Sequence, residues 1–87
     1  MDFKRTGPNA VEITTSDGVR ILFSYGEPVA IRFPLTIPWP RDTRLGSMRT
    51  DRYVSRTTER HISDFLDDAP SNRVPHAEIL RATKEAR

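Results

Sequence analysis

Residues 11–33 read VEITTSDGVRILFSYGEPVAIRF, and this stretch decides the fold because it holds three short β-type runs separated by two turn signals. Each run is rich in β-branched and aromatic side chains, which fit a pleated surface. The runs occupy residues 11–14, 19–23 and 29–33. Asp17 and Gly18 are a strong short hairpin signal, and residues 24–28 supply the second turn. The stretch therefore predicts an antiparallel β-meander.

The C-terminal half of the chain predicts a fourth strand and then helices. The fourth strand falls within residues 48–54. Ser55 and Thr57 are acceptable N-caps for a helix, and apolar residues follow at helical spacing. Pro75 suits the first turn of a second helix. The predicted fold class is α+β: a small antiparallel meander of three to four strands, with one face packed against one or two C-terminal helices.

The domain organisation follows from these elements. We expect residues 1–10 to form a flexible N-terminal tail and residues 11–87 to form a single α+β domain, in which residues 33–49 are a loop rich in proline and arginine. The apolar positions of the strands and helices define the predicted core, which consists of Val11, Ile13, Ile21, Phe23, Val29, Ile31, Ile62, Phe65, Leu66, Ile79 and Leu80.

The composition excludes several classes of protein. The 87 residues are 36% hydrophobic and 30% charged, and cysteine is absent, which rules out disulfides, thiol nucleophiles and thiolate metal sites. No apolar run approaches the roughly 20 residues that span a bilayer, and the first residues lack the apolar core of a secretory signal. We expect a protein of the host-cell cytoplasm with no membrane association, no metal and no cofactor.

The residues give little support to an enzyme. His61, Asp64 and Ser63 or Ser55 contain the letters of a hydrolytic triad, but His61 and Asp64 lie one turn apart on one helix and Ser63 points elsewhere. Neither the two histidines nor the acidic pair at 67–68 has the spacing of a metal site. We therefore expect a protein that is not an enzyme.

The positive charge is concentrated in one segment. Residues 41–60 hold six arginines against three acidic residues, a net charge of +3. Arginine suits phosphates and guanine edges, and aromatic side chains stack on unpaired bases. The arginine bias is equally explained by codon usage in a G- and C-rich genome. A nucleic-acid interface here would use Arg41, Arg44, Arg49, Arg52, Tyr53, Arg56 and Arg60.

The same region also fits a protein partner. Trp39 lies between Pro38 and Pro40, so ordering it on a partner costs little entropy, and its neighbours have the composition of an interaction hot spot. The alternative is that Trp39 folds back to cover the small sheet. The residues that would bind a partner are Trp39, Arg41, Arg44, Arg49 and Arg52.

Two phrases in the chain resemble a known family. Residues 24–30 read SYGEPVA, and residues 50–66 read TDRYVSRTTERHISDFL. Together they are similar to the pattern "SYxxPVA … TD…SxTTxxHIxxFL" of short phage, plasmid and prophage proteins, a family that carries no established activity. The chain departs from that pattern at Glu27, where threonine is usual, and in the stretch 33–49, where relatives often have a tight hairpin. The resemblance implies an origin in a mobile element.

Elementary chemistry gives the shared phrase a structural role. Hydroxyl groups crowd the start of the first helix, where they can satisfy unpaired backbone amides. The polar side chains of Thr58 and His61 border the apolar face of this helix and would reach across to the sheet. The predicted cap and helix–sheet contact residues are Tyr25, Ser55, Thr57, Thr58 and His61.

The functional expectation is a small non-enzymatic accessory protein of a phage or mobile element that acts as a macromolecular binding module. We expect it to bind a host or phage protein or to self-associate as a homo-oligomer. The alternative is a nucleic-acid-binding protein that uses the arginine-rich segment 41–60.

Overall fold

The computed structural model of the protein describes residues 2–7, 9–16, 18–33, 47–67 and 71–86. Within these ranges the chain forms one sheet of six strands whose spatial order follows the chain, and two helices. The strands are β1 (Asp2–Gly7), β2 (Ala10–Thr14), β3 (Arg20–Ser24), β4 (Glu27–Arg32), β5 (Ser47–Thr50) and β6 (Asn72–Val74). The helices are α1 (Arg56–Leu66) and α2 (His76–Ala86).

The α+β class and the antiparallel meander are confirmed, but the sheet has more strands than the three to four expected. Strands β2, β3 and β4 are the three predicted from the opening stretch, and β5 is the fourth. Every neighbouring pair from β1 to β5 is antiparallel. β6 instead runs parallel to β5, since α1 carries the chain back across the sheet before β6 begins.

Residues 2–7, which we expected to belong to a flexible N-terminal tail, form a strand. Residues 2–7 form β1, which pairs with β2 in a register that places Phe3 opposite Ile13 and Arg5 opposite Val11. The side chains of β1 are exposed, because this strand lies at the edge of the sheet and the two helices pack mainly on β3, β4 and β5. Its order comes from the backbone hydrogen bonds of the ladder, which the side-chain pattern does not reveal.

The two helices cover opposite faces of the sheet, which corrects the expectation of a single covered face. Adjacent strand residues point to opposite faces, and Ile21 packs in the cluster with α2 whereas Leu22 packs in the cluster with α1. Residues 21–23 are all apolar, which is the pattern of a strand that is covered on both sides. We call these faces the α1 face and the α2 face.

Most of the predicted core is buried, with exceptions that share one cause. Helix α2 packs on β4 and β5, so the same face of β1 and β2 is less covered. Val11, Ile13 and Phe23 are consequently half-buried, and Leu80 on α2 is 48% exposed. The buried members of the predicted core are Ile21, Val29, Ile31, Ile62, Phe65, Leu66 and Ile79. The buried apolar residues that we did not predict are Ala10, Val19, Leu22, Ala30, Phe33, Met48 and Ala82.

The predicted loop 33–49 lies mostly outside the described residues, which resume at Ser47. Of its ends, Phe33 is buried and residues 47–49 belong to β5. Among the described residues, neither helix has the length and apolar character needed to cross a bilayer.

Candidate functional site

The turn between β3 and β4 holds Tyr25 in an unusual backbone conformation. Tyr25 and Gly26 have φ angles of 53° and 82°, and they form the two-residue loop of the hairpin closed by Ser24 and Glu27. A type I′ turn requires positive φ at both central residues, a conformation that costs about 1 kcal/mol or more for a residue with a Cβ atom. The turn is held in place because the Tyr25 amide donates to the Asn9 carbonyl at 2.8 Å. It leaves the Tyr25 side chain 57% exposed.

A second tyrosine lies on the connection between β5 and α1. Tyr53 is 93% exposed, yet the backbone beside it is fixed by hydrogen bonds. The Asp51 amide donates to the carbonyl of Val74 at 2.8 Å, and the Arg52 amide donates to Oγ1 of Thr50 at 3.1 Å. The ring of Tyr53 therefore projects into solvent from a well-defined position.

A groove of about 220 Å³ lies between these two tyrosines. Its rim includes an ion pair in which the Arg52 guanidinium donates to the Glu27 carboxylate and joins the β5–α1 connection to the start of β4. The groove is lined by Ser24, Tyr25, Glu27, Val29, Arg52, Tyr53, Val54, Ser55 and Thr58, and we call it the tyrosine groove.

The floor of the tyrosine groove is a chain of hydroxyl groups. Ser55 is the N-cap of α1, and its Oγ accepts from the Thr58 amide at 3.2 Å. The hydroxyls of Ser55 and Thr58 lie 3.2 Å apart, and the Thr58 hydroxyl is 3.0 Å from Oγ of Ser24. Ser24 in turn lies 3.0 Å from Nδ1 of His61. This chain joins the first turns of α1 to the end of β3.

His61 completes the contact between helix and sheet. Its ring lies against that of Tyr25, with centroids 6.4 Å apart and planes tilted by 36°. Thr57, by contrast, is exposed and lies outside this chain of contacts. The structure therefore brings together Tyr25, Ser55, Thr58 and His61 from the predicted cap and helix–sheet set.

Ser24 is the member of the site that sequence reasoning missed. It stands in the SYGEPVA phrase, where we assigned it only to a turn. A serine hydroxyl next to a histidine can act as a nucleophile, but that role requires access to a substrate. Ser24 is 3% exposed and its hydroxyl is shared between Thr58 and His61, so its geometry is that of an internal hydrogen bond.

The predicted arginines differ in their burial and in their hydrogen-bond partners. Arg49 is 8% exposed, and its guanidinium donates from Nη1 to Oε2 of Glu59 at 2.9 Å and from Nη2 to Oε1 of the same carboxylate. Arg52 is half-exposed at the groove, and Arg56 and Arg60 are exposed on α1. Trp39, Arg41 and Arg44 lie outside the described residues.

The contact between Arg49 and Glu59 changes the acidity of the carboxyl group. Hydrogen bonds from Arg49 lower the pKa of Glu59 below its ordinary value of 4.5, against the opposing effect of partial burial. The positive charges of Arg49 and Arg73 lower this pKa further. Arg49 thus joins β5 to α1, with its guanidinium directed at Glu59 and little of the residue exposed to solvent.

Thr50, the last residue of β5, fixes the start of the connection between β5 and α1. Its side chain is fully buried, and its Oγ1 lies 2.9 Å from Nδ1 of His76 at the start of α2. Because Oγ1 also accepts from the Arg52 amide, one hydroxyl ties β5, the connection that carries Tyr53, and α2 together.

Comparisons with known proteins give one positive finding. A protein-family model described as a family of unknown function matches residues 1–81. Neither the curated proteins nor the solved structures include a match to this chain.

Proposed function

The chain belongs to the family of unknown function DUF8033, and from that premise we propose that it is a small non-enzymatic accessory protein of a phage or other mobile element that binds another protein. The resemblance of residues 24–30 and 50–66 to short phage and plasmid proteins supports the proposed origin. The proposed activity rests on the site, since the description of the family assigns none.

The tyrosine groove is the observation that carries this proposal. Tyrosine and arginine are enriched among the residues that dominate protein–protein binding, and a tyrosine buries a large area while losing only two side-chain torsions. Here Tyr25 and Tyr53 flank a groove whose volume suits a side chain of a partner, and Arg52 lies on its rim. The backbone beneath both rings is already ordered, so little conformational entropy is lost on binding.

The charge distribution favours protein over nucleic acid. Phosphate binding requires arginines whose charge is available, and binding strength grows with the number of phosphates they neutralise. Arg49 is buried against Glu59, and Arg52 is paired with Glu27. Among the described arginines of the predicted nucleic-acid set, Arg56 and Arg60 are exposed on α1 and form no ion pair there. Two arginines of that set therefore have positive charge available for phosphate in the described part of the chain.

Site-specific photocrosslinking in the bacterial host tests the proposal. A photoreactive phenylalanine derivative replaces Tyr53, and in a control protein the same group replaces Arg81, which is exposed on α2. We expect a discrete protein adduct from position 53, absent from position 81, which disappears when excess unmodified protein competes. Excess Tyr25→Asn protein should compete less well. Equal labelling from both positions would contradict a role for the groove.

A parallel measurement tests the nucleic-acid alternative. Fluorescence anisotropy with a labelled mixed-sequence DNA duplex across a salt series detects phosphate contacts directly. We expect no micromolar binding at low salt. Binding that weakens steeply with salt, and whose slope falls in the double variant Arg56→Ala and Arg60→Ala, would replace the protein-binding proposal with a nucleic-acid one.

A further inference from the structure

Strand β1 leaves one side of the sheet open. It pairs with β2 along one edge, and no strand of the described residues lies along its other edge. An edge strand presents a row of unpaired backbone N–H and C=O groups, which is a template for pairing with another strand. β6 is the strand at the opposite edge of the sheet, and it has only three residues, whereas β1 has six.

The side chains of β1 alternate between the two faces of the sheet. Phe3 is opposite Ile13, which is opposite Ile21, so Phe3 lies on the α2 face. Asp2 and Lys4 therefore lie on the α1 face. Phe3 is 72% exposed beside the half-buried Ile13, so the α2 face of this edge begins with an aromatic side chain and carries Arg5 two residues further on, whereas Asp2 and Lys4 put both signs of charge on the α1 face.

We propose that β1 is a self-association edge, along which a second copy of this chain pairs antiparallel about a two-fold axis at Phe3. This inference rests on the proposed function as a protein-binding module and names one partner of it, namely the chain itself. Pairing would extend the sheet continuously from one copy into the next. The geometry of antiparallel pairing, together with the order of charges along β1, leads to this register.

A two-fold axis perpendicular to the sheet restricts the registers that can form. Directly opposite residues share a face, so the axis must pass through a residue and not between two. With the axis at Asp2, Lys4 or Arg5, a charged side chain would stand opposite its own copy, and like charges directly opposite each other destabilise a sheet. Thr6 is an unsuitable centre because the pairing of β1 with β2 is irregular between Arg5 and Gly7. With the axis at Phe3, no like-charge clash occurs and the strand is regular.

The Phe3-centred register is complementary on both faces. On the α2 face it places the two Phe3 rings opposite each other, next to Ile13 of each copy, and aromatic cross-strand pairs stabilise sheets. On the α1 face it places Asp2 of each copy opposite Lys4 of the other. The axis therefore generates two ion pairs from one short sequence, DFK, and covers the most exposed phenylalanine of the described chain.

Charge reversal tests this register directly. Sedimentation equilibrium of the unmodified protein over a concentration series should show a mass that rises from 10.0 kDa towards twice that value. The single variants Lys4→Asp and Asp2→Lys each place like charges opposite one another, and each should weaken self-association about tenfold or more. Lys84→Asp, a matched reversal at an exposed site on α2, should leave self-association unchanged.

Mixing the two single-variant proteins provides the decisive test of the proposed register. In a 1:1 mixture, the acidic edge of Lys4→Asp faces the basic edge of Asp2→Lys, so native mass spectrometry should detect the mixed dimer in excess over both homodimers. A variant that failed to fold could not give this result. Phe3→Ser should abolish association in every combination.

Three results would overturn the inference. They are a mass of 10.0 kDa at all concentrations, self-association that Phe3→Ser and both charge reversals leave intact, or a mixture with no preference for the mixed dimer. A monomeric protein that still crosslinks from Tyr53 would retain the proposed function and lose only β1 self-pairing. If an unrelated strand-like peptide were then found to protect β1 from hydrogen exchange, the edge would serve a different protein.

Discussion

Oγ of Ser24, the last residue of β3, lies 3.0 Å from Nδ1 of His61 in the second turn of α1. The two residues are far apart in the chain, and their contact fixes how α1 is rotated about its axis over the sheet. The same hydroxyl is 3.0 Å from the Thr58 hydroxyl, so the buried polar atoms at this point satisfy one another. The contact also holds the base of the tyrosine groove, because Ser24 and Thr58 both line it.

Removing the Ser24 hydroxyl should destabilise the fold. Ser24→Ala leaves Nδ1 of His61 and the Thr58 hydroxyl without this partner, and unsatisfied buried polar groups cost about 1–3 kcal/mol. We expect a loss of that size in the free energy of unfolding, measured by urea denaturation. Ser63→Ala, at an exposed position of the same helix, is the control and should be close to neutral. If both variants lost the same stability, the Ser24–His61 contact would contribute nothing specific.

Thr50 should be intolerant of a change that keeps its shape. Thr50→Val preserves the branched side chain but removes the atom that bonds with His76 and with the Arg52 amide. We expect a loss of about 1–3 kcal/mol in the free energy of unfolding and faster hydrogen exchange at the Arg52 amide. Thr57→Val makes the same chemical change at an exposed position and should have little effect. Unchanged exchange at Arg52 would contradict this account.

The Arg49–Glu59 pair should make stability depend on pH in a defined direction. The pKa of Glu59 is lowered in the folded protein, so its contribution is present above its ordinary pKa of 4.5 and is lost as the pH falls through the lower folded value. We expect Glu59→Gln to cost about 1 kcal/mol at pH 7, since Arg49 then stays buried without a carboxylate. The difference from the unmodified protein should shrink below pH 4.5.

The control for that series is Glu27→Gln, which removes the acidic partner of an exposed ion pair. Exposed pairs contribute about 0–1 kcal/mol, so this variant should differ little from the unmodified protein at neutral pH. Thermal unfolding at intervals from pH 3 to pH 7 measures both variants. A Glu59→Gln difference that stayed constant over this range would exclude the ion pair as its cause.

Replacing Tyr25 should separate stability from binding. Asparagine tolerates the left-handed conformation of a type I′ turn better than tyrosine does, so the backbone cost at this position falls. The lost contact with the His61 ring offsets part of that gain. We expect the free energy of unfolding of Tyr25→Asn to lie within about 1 kcal/mol of that of the unmodified protein. Crosslinking from the tyrosine groove should nevertheless be reduced. Gly26→Ala, which forces a Cβ atom to a φ of 82°, should instead destabilise the turn.

The sequence predicted the central strands and both helices because their patterns are local. Residues 11–33 alternate with clear turn signals, and Ser55 precedes the apolar face of α1. β1 was missed because DFKRTG has three charged residues and is ordered by pairing with β2, not by burial. β6 was missed because three residues are too few to display a period, and its partner β5 lies beyond an intervening helix.

The candidate site was predicted only in part, for a related reason. The composition of the segment 41–60 indicated positive charge, but the number of arginines does not reveal which of them has an internal partner. Arg49 differs from Arg56 because β5 places it beneath α1, within reach of Glu59. Tyr25, Thr58 and His61 were recognised from their place at a turn and beside an apolar helix face, whereas Ser24 acquires its role only when β3 meets α1.

The order of the strands in the sheet has a consequence for how the protein folds. From β1 to β5 each strand pairs with the strand that precedes it in the chain. Hairpins can therefore form one after another, and the entropy lost in closing each loop is modest. β6 is different, because its parallel pairing with β5 requires α1 to be in place first. We therefore expect the meander to form early and the β5–α1–β6 crossover to be the slow step. A chain emerging from the ribosome would form its N-terminal hairpins before β6, the last strand of the sheet, had been synthesised.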